Sequence, residues 1–213
     1  MIKVKKFESR QAGGCCYVVS DETGECVIVD PGFNTPEEKK AVSEYIAENG
    51  LKPVKLLCTH WHYDHVMGNR FITDTYMVQT YIHPKDKGLL KLTKMICLAF
   101  GIQAENPSMD TVDIKEGDVI TFGNSSLKVM HTPGHTEGSV CFYSERDGLC
   151  LTGDTLFAGS IGRTDFPGGD SGKMQMSLKR LVAELPAQCV IYPGHGEKST
   201  MAIEVETNPF LRD

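Results

Sequence analysis

The chain has no apolar run long enough to cross a membrane, and its first ten residues, MIKVKKFESR, contain no apolar stretch that would make a secretory signal. None of its 8 cysteines forms a CxxC pair, which argues against a structural zinc cluster and a disulfide framework. These absences predict a cytoplasmic protein whose cysteines are reduced and mostly buried. Cys15 and Cys16 are neighbours in a strand-like segment, so we expect their side chains to point to opposite faces.

The chain also lacks the features that separate domains. It has no low-complexity segment, block of like charge or linker rich in proline and serine, so we expect one domain over residues 1–213. Basic charge is scarce as well, because the formal net charge is −6, and this argues against a nucleic-acid partner. No membrane partner is expected, and both a monomer and a homodimer stay open.

The N-terminal part of the chain has clear strand and helix signals. CCYVVS and CVIVD predict two strands joined by a turn, and VKLLCTH predicts a buried strand. A helix lies between them, with Thr35 as the N-cap and Pro36 as its first residue. Glu38 completes a capping box, and Gly50 ends the helix.

Further along, TYMVQTYIHP predicts a strand, and Pro84 opens a helix that we expect to run to about Gly101. The segments DVITF, SLKVMHT, GSVCFYS and GLCLTGD predict four more strands. A helix over residues 173–185, the strand CVIYPGHG and a helix from about Ser199 follow. The apolar face of the helix over 173–185 is expected to join the core with Met174, Met176, Leu178 and Leu181.

This order of elements indicates a mixed α/β fold, because each half places strands first and helices later. Two mixed β-sheets packed face to face, with helices outside, accommodate the order, although periodicity alone leaves other topologies open. The histidines then fall at strand ends, in loops, where functional sites are usually built.

The heptad THWHYDH places three histidines and an aspartate at the end of a predicted strand. His60 and His62 are separated by one residue, so both rings point the same way in an extended segment and can bind one metal ion. Asp64 and His65 follow where the chain turns toward a helix, and they can face a second ion. Imidazole and carboxylate suit zinc, iron or manganese. The alternative is a histidine-rich loop that only hydrogen-bonds or binds metal adventitiously.

Three later segments disfavour that alternative. His135 lies in a turn of glycine and proline, Asp154 follows the strand GLCLTG, and His195 follows CVIYPG, so each lies at the end of a strand. With the heptad, they make five histidines and two aspartates, enough for two metal ions that share a carboxylate. Two such ions lower the pKa of a bridging water toward about 7, which makes hydroxide available for hydrolysis.

In this order, THWHYDH, HTPGHTEGS, GDTLF and PGHG resemble the metallo-β-lactamase superfamily. GSIGRTDFPGGD and the C-terminal segment resemble its glyoxalase II-like hydrolases, specifically the short bacterial type without the C-terminal glutathione-binding domain. The resemblance implies an αββα sandwich of four layers. It implies that His60, His62 and His135 hold one ion. It implies a second ion on Asp64, His65 and His195, with Asp154 bridging both and Asp64 orienting the attacking water.

The implied function is hydrolysis of small acyl thioesters, such as S-D-lactoylglutathione, by a bridging hydroxide on two divalent ions. Zinc is the expected metal, and iron or manganese are the alternatives. The partner is a small-molecule thioester. Specificity for glutathione does not follow, because the helical domain that holds glutathione in full-length members is expected to be absent.

Three other functions of the superfamily compete with this one. Persulfide dioxygenases use one iron on residues that match His60, His135 and Asp154, but they have alanine and aspartate where this chain has Gly194 and Gly196. Common β-lactamases use a cysteine in the second site, and tRNA-processing nucleases need a basic face and an RNA-binding arm. A non-catalytic metal-binding module is disfavoured because all seven ligand positions are filled.

Five further residues have both a structural and a functional interpretation. His83 precedes a predicted helix and is expected to hydrogen-bond its end, and His131 is expected to be structural or to support a ligand. Arg163 attracts a substrate carboxylate, and Asp165 orients a ligand histidine, unless the two form a loop salt bridge. Trp61 lines the pocket or packs against the loop.

Overall fold

A computed structural model describes residues 1–212 of the chain. The N-terminal half of the chain forms the first sheet. Its strands lie in sequence order, β1 to β6. They are β1 Lys3–Glu8, β2 Cys15–Ser20, β3 Glu25–Val29, β4 Lys52–Leu57, β5 Thr80–Ile82 and β6 Thr111–Asp113. The first three strands pair antiparallel, and β3 to β6 pair parallel, so the sheet is mixed as predicted.

The second sheet is also mixed and has six strands, in the order β14-β13-β10-β9-β8-β7. Only the pair β10 and β13 is parallel, with Cys150 opposite Ile191. A separate two-stranded hairpin, β11 with β12, follows β10. The ranges are β7 Val119–Phe122, β8 Ser125–His131, β9 Val140–Ser144, β10 Leu149–Gly153, β11 Leu156–Phe157, β12 Ser160–Ile161, β13 Val190–Pro193 and β14 Ser199–Thr200.

Seven α-helices connect the strands of the described residues. They are α1 Pro36–Glu48, α2 Tyr63–Val66, α3 Asn69–Tyr76, α4 Pro84–Lys87, α5 Thr93–Ala99, α6 Ser171–Glu184 and α7 Met201–Thr207. The start of α1 confirms the predicted capping box, because Thr35 accepts from the backbone of Glu38 and the Glu38 carboxylate accepts from Thr35 N. No helix in residues 1–212 has the length and apolar composition needed to cross a membrane.

Three buried apolar clusters define four layers. The first cluster lies between the sheets and includes Val29 from β3 and Phe142 from β9. The second joins the second sheet to α6, where Leu178 and Leu181 are buried, and the third joins the first sheet to α1 and α3 through Ile46 and Ile72. One face of each sheet therefore packs against the other sheet, and its opposite face packs against helices, which confirms the predicted αββα sandwich.

The cysteines behave as the sequence predicts. All eight are free and buried. Cys15 points into the cluster between the sheets, and Cys16 points to the opposite side, into the cluster under α1. Such placement follows from the alternation of side chains along β2. The prediction of one domain over 1–213 stays a prediction.

Two predictions on the middle of the chain are wrong. The expected helix from Pro84 to Gly101 is interrupted, because α4 ends before Gly88 and a 3₁₀ turn precedes α5. Glycine disfavours helix at that position, and the turn brings Leu90 into a buried cluster. The expected strand TYMVQTYIHP shrinks to β5, because its first residues end α3 and Met77 adopts a left-handed conformation with φ 55°.

Two predicted details of the second half are also corrected. Met176 is 73% exposed, so it lies outside the core that Met174, Leu178 and Leu181 join. The last helix begins at Met201, because Ser199 and Thr200 first pair with β13 as a short strand. Five elements were not predicted, because their segments are too short or too polar to give a clear signal. They are the strands β1, β6, β11 and β12 and the helix α3.

A buried carboxylate joins loops from the two sheets. Asp86 lies in α4 and is 1% exposed. Its Oδ1 accepts a hydrogen bond from Gly138 N at 2.8 Å, and its Oδ2 accepts from Thr136 Oγ1 at 2.7 Å and from Trp61 N at 3.2 Å. Burial raises the pKa of Asp86 to about 6, although these three donors favour the carboxylate. The loops after β4 and β8 are therefore held at one point.

Replacing this carboxylate should destabilise the fold. In Asp86→Ala three donors lose their acceptor, two of them in buried hydrogen bonds. Because the loss of a buried partner costs about 1–3 kcal/mol, we expect the free energy of unfolding to fall by about 2 kcal/mol or more. Thr136→Val removes one of the three donors and should cost about 1 kcal/mol. Urea denaturation of metal-free protein measures both. A change within about 0.5 kcal/mol for Asp86→Ala would contradict the role.

Candidate metal centre

One group of predicted ligands brings together the loops after β4 and β8. His60, His62 and His135 each present a ring nitrogen, and these nitrogens lie within 4.8 Å of one another. His62 Nδ1 lies 2.7 Å from His135 Nε2. His60 Nε2 is buried without any hydrogen-bond partner. The three rings therefore converge on one point, as the sequence predicts for one ion.

The second group lies beside the first. Asp64 and His65 come from α2, and His195 comes from the loop after β13. His195 Nε2 lies 3.2 Å from both Asp64 Oδ2 and His65 Nε2. This grouping matches the residues predicted for a second ion.

Asp154 lies between the two groups. It follows β10, and its Oδ2 lies 3.3 Å from His135 Nε2 while its Oδ1 lies 3.3 Å from His65 Nε2. The Oδ1 atom is buried and has no hydrogen-bond partner. Gly194 permits this position, because a Cβ there would stand 2.1 Å from Asp154 Oδ1. One carboxylate thus reaches both groups, as expected for a bridging ligand.

Acceptors behind the rings turn their other nitrogens toward the centre. His135 Nδ1 lies 2.7 Å from the backbone oxygen of Arg163, and His195 Nδ1 lies 3.0 Å from that of Gly13. A ring nitrogen that donates to a carbonyl leaves the opposite nitrogen with a free lone pair. The same arrangement is typical of histidines that bind metals.

Asp30 plays a supporting part that the sequence analysis missed. Thr59 Oγ1 donates to Asp30 Oδ2 and therefore accepts from His60 Nδ1, which lies 3.0 Å away. Asp30 also lies beside His65, with 3.3 Å between Oδ2 and the His65 Nδ1 atom. Its only sequence signal was a carboxylate at the end of the strand CVIVD, the position that Asp154 occupies after β10.

The charges of the two groups differ. Burial and the neighbouring histidines lower the pKa of His60 well below its usual range, and burial together with His135 lowers the pKa of His62 to about 3. Burial also lowers the pKa of His65, but the carboxylates of Asp154 and Asp64 outweigh it and raise that pKa to about 10. The first group therefore offers neutral nitrogens, and the carboxylates of the second group attract positive charge.

Divalent cations fit this donor set. Two of its atoms, His60 Nε2 and Asp154 Oδ1, are buried without hydrogen-bond partners among the described residues, and a cation at each ligand group would satisfy one of them. Imidazole with carboxylate suits zinc, iron and manganese alike. The residues present therefore fit divalent metal ions, while the number and the identity of the ions stay predictions.

The other predicted residues have structural contacts. Arg163 and Asp165 form a bidentate ion pair, with both N–O distances at 2.7 Å, so the Asp165 carboxylate contacts no ligand histidine. His83 Nδ1 accepts from Lys85 N at the start of α4, as predicted. His131 stacks on His83, with 4.4 Å between ring centroids.

A cleft of about 760 Å³ opens over the candidate ligands. Trp61 lines it and also packs against a buried cluster, so both interpretations of this residue hold. Tyr63 and Asp64 also line the cleft, and the side chain of Asp64 is 18% exposed. The ligand groups are therefore accessible to a small molecule.

Comparisons with known proteins agree with this geometry. The family model described as the metallo-beta-lactamase superfamily matches residues 12–195. The hydroxyacylglutathione hydrolase GloC of Haemophilus influenzae is 31% identical over 198 residues, which cover 92% of each protein.

Two solved structures are similar along nearly the whole chain. The B3 metallo-beta-lactamase BLEG-1 has a TM-score of 0.88 and 31% identity, over 99% of this chain and 100% of its own. TTHA1623, in a di-iron-bound form, has a TM-score of 0.87 and 35% identity, over 98% of this chain and 100% of its own. On its sequence, its sandwich and its cluster of histidines and aspartates, the chain belongs to the metallo-β-lactamase superfamily.

Proposed function

We propose that the chain is a dinuclear-metal hydrolase that cleaves small acyl thioesters such as S-D-lactoylglutathione. The observation that carries the proposal is the position of Asp154, whose two oxygens each lie 3.3 Å from a ring nitrogen of a different ligand group. A carboxylate placed in this way can hold two cations close enough to act on one water. Similarity to GloC supports the thioester class, and similarity to di-iron TTHA1623 supports two ions.

The bound ions, with zinc expected and iron or manganese as alternatives, would polarise the substrate carbonyl and lower the pKa of a water toward about 7. His60, His62 and His135 would hold one ion, and Asp64, His65 and His195 the other. Asp154 would hold both. The free, buried cysteines support a cytoplasmic setting.

Asp64 is placed to orient the attacking water. Its carboxylate lines the cleft and is held by His195, 3.2 Å away. Hydrolysis forms a C–O bond from the water oxygen to the acyl carbon and breaks the C–S bond, whose electron pair leaves with sulfur. One water proton passes through Asp64 to solvent or to the thiolate. A thiolate is a good leaving group, so no acid side chain is required.

Metal removal should abolish this activity. Protein purified without chelators or a nickel column should carry about two divalent ions per chain, and a chelator should stop the hydrolysis of S-D-lactoylglutathione and of longer acyl thioesters. Zinc, iron(II) or manganese(II) should restore it. Elemental analysis and thioester absorbance measure the two quantities. A single tightly held iron, with oxygen consumed on a persulfide, would overturn the hydrolase in favour of a dioxygenase.

Replacing one candidate metal ligand should lower kcat/KM far more than replacing a nearby histidine that is not a ligand. His62→Ala and Asp154→Ala should each lower kcat/KM by more than about 100-fold, because each removes a group that faces the centre. His131→Ala is the control, since its ring stacks on His83 outside both groups, and it should change kcat/KM by less than about threefold.

Kinetics, bound metal and circular dichroism of the three variants test this assignment. The two ligand variants should lose bound metal and keep their secondary structure. Wild-type rates in either of them, or an equal loss in His131→Ala, would refute the ligand roles.

Hydrolysis of β-lactams is a second candidate, and the similarity to BLEG-1 favours it. The lack of a cysteine ligand disfavours this activity, yet BLEG-1 is a B3 metallo-beta-lactamase with 31% identity to this chain. We expect kcat/KM for a chromogenic cephalosporin to be at least about 100-fold below that for the best thioester. A β-lactam rate equal to or above the thioester rate would reverse the ranking.

A further inference from the structure

The cleft over the candidate metal centre is walled mainly by apolar side chains. Apart from the candidate ligands, its lining includes Ile96, Phe100, Phe157, Ile161, Phe166 and Pro167. A contiguous apolar surface of this kind beside a polar centre is typical of a binding site for an apolar group.

One wall comes from α5 and the residue after it. Ile96 lies in α5 and faces the cleft, and the Phe100 ring is 63% exposed. Tyr63 holds that ring by stacking, with 5.1 Å between centroids and 16° between planes. An aromatic ring that is fixed in this way but left open to water is ready to cover an apolar ligand.

A second wall comes from the β11–β12 hairpin and the loop after it. The Phe157 ring lies 5.8 Å from the His195 ring, and the Phe166 ring lies 6.0 Å from the His62 ring. Apolar surface therefore approaches both ligand groups.

Within residues 1–212, the lining of the cleft offers no unpaired lysine or arginine for a charged thiol. Arg163 is the one lysine or arginine among the lining residues. Its guanidinium is paired with both Asp165 oxygens at 2.7 Å and lies 3.7 Å from the centre of the Phe166 ring. Glutathione carries two carboxylates, and binding them would require unpaired donors. Nothing in this lining favours that group over an uncharged thiol.

We propose that the cleft selects thioesters by an apolar acyl group larger than lactoyl, such as hexanoyl, and leaves the thiol part outside. This inference rests on the proposed thioesterase function. The acyl chain lies against Ile96 and Phe100 on one side and Phe157 on the other, with its carbonyl at the ligand groups. The thiol part extends through the open side of the cleft, so its charge contributes little to selection.

Four substrates test the acyl part and the thiol part of the thioester separately. Lactoyl and hexanoyl groups are each joined to glutathione and to N-acetylcysteamine, and kcat/KM is measured with metal-loaded protein. We expect hexanoyl to exceed lactoyl by at least about tenfold on either thiol, because each buried methylene adds to transition-state binding. Exchanging the thiol should change kcat/KM by less than about threefold.

Two variants of one helical segment test the wall. Phe100→Ala should reduce the preference for hexanoyl over lactoyl by about fivefold or more, because it removes apolar surface that the longer acyl chain would cover. Met95→Ala is the matched control, because Met95 is 61% exposed on α5 but does not line the cleft. It should keep the full preference. Both residues are exposed, so neither change removes core packing.

The outcomes separate this inference from the function beneath it. If the protein with two metals cleaves none of the four substrates, the thioesterase function fails. If it cleaves them but prefers lactoyl, or requires glutathione, the thioesterase stands and the apolar selection is overturned.

Two further results would also overturn the selection. One is a loss in Arg163→Gln that is confined to glutathione thioesters, because it would assign the cleft to the charged thiol. The other is a lower molar mass for Phe100→Ala in light scattering with unchanged selectivity, because it would assign this wall to a second copy of the chain.

Discussion

The close approach of ring nitrogens and carboxylate oxygens in a buried space governs the rest of this molecule. His62 and His135 place ring nitrogens 2.7 Å apart, and His60 Nε2 has no partner at all. An unsatisfied buried polar atom costs about 1–3 kcal/mol, so such a centre is stable only when protons or cations lie between its atoms. The centre therefore favours bound cations, and the surrounding fold has to hold its ligands in place without them.

The sandwich does so by bringing strand ends together and by tying the loops behind them. Val140 N donates to the oxygen of Thr59 at 2.9 Å, which joins the second sheet to the loop that carries the heptad. Gly194 N donates to the oxygen of Gly153 at 2.8 Å, and this bond brings the loops before His195 and after β10 side by side. Asp86 adds a third connection. Because the ties are backbone or buried carboxylate bonds, the ligand positions depend on the fold more than on the ligands themselves.

The candidate ligands could be predicted from the sequence because the signal for each of them lies in a few neighbouring residues. His60 and His62 share a strand end, and the last three ligands in the sequence each follow an apolar strand and stand beside glycine, a pattern visible in a few residues. Contacts between distant segments were not predictable in the same way. The acceptor behind His135 is the backbone oxygen of Arg163, which any residue would provide. For Arg163 and Asp165 the sequence left both a ligand-supporting role and a loop salt bridge open, and the structure has the salt bridge.

The same contrast applies to the elements of the fold. Long buried strands such as β2, and a helix with a capping box such as α1, carry enough local signal to be predicted. The broken helix after Pro84 and the short β11–β12 hairpin do not, because packing of single side chains such as Leu90 decides them. Tertiary burial there outweighs local propensity.

These poorly predicted segments form the walls of the cleft. The ligands, which determine the class of reaction, and the walls, which determine the class of substrate, therefore come from different parts of the fold. The candidate ligands come from strand ends that the sandwich positions, and the same donor set would serve a thioester or a β-lactam. The walls come from α5 and the hairpin, which contribute side chains without polar groups near His62 and His195. Such walls discriminate by size and apolarity, because the one guanidinium beside them in the described residues, that of Arg163, is already paired with Asp165. Changes in α5 or the hairpin can therefore alter the preferred substrate while the candidate ligands stay the same.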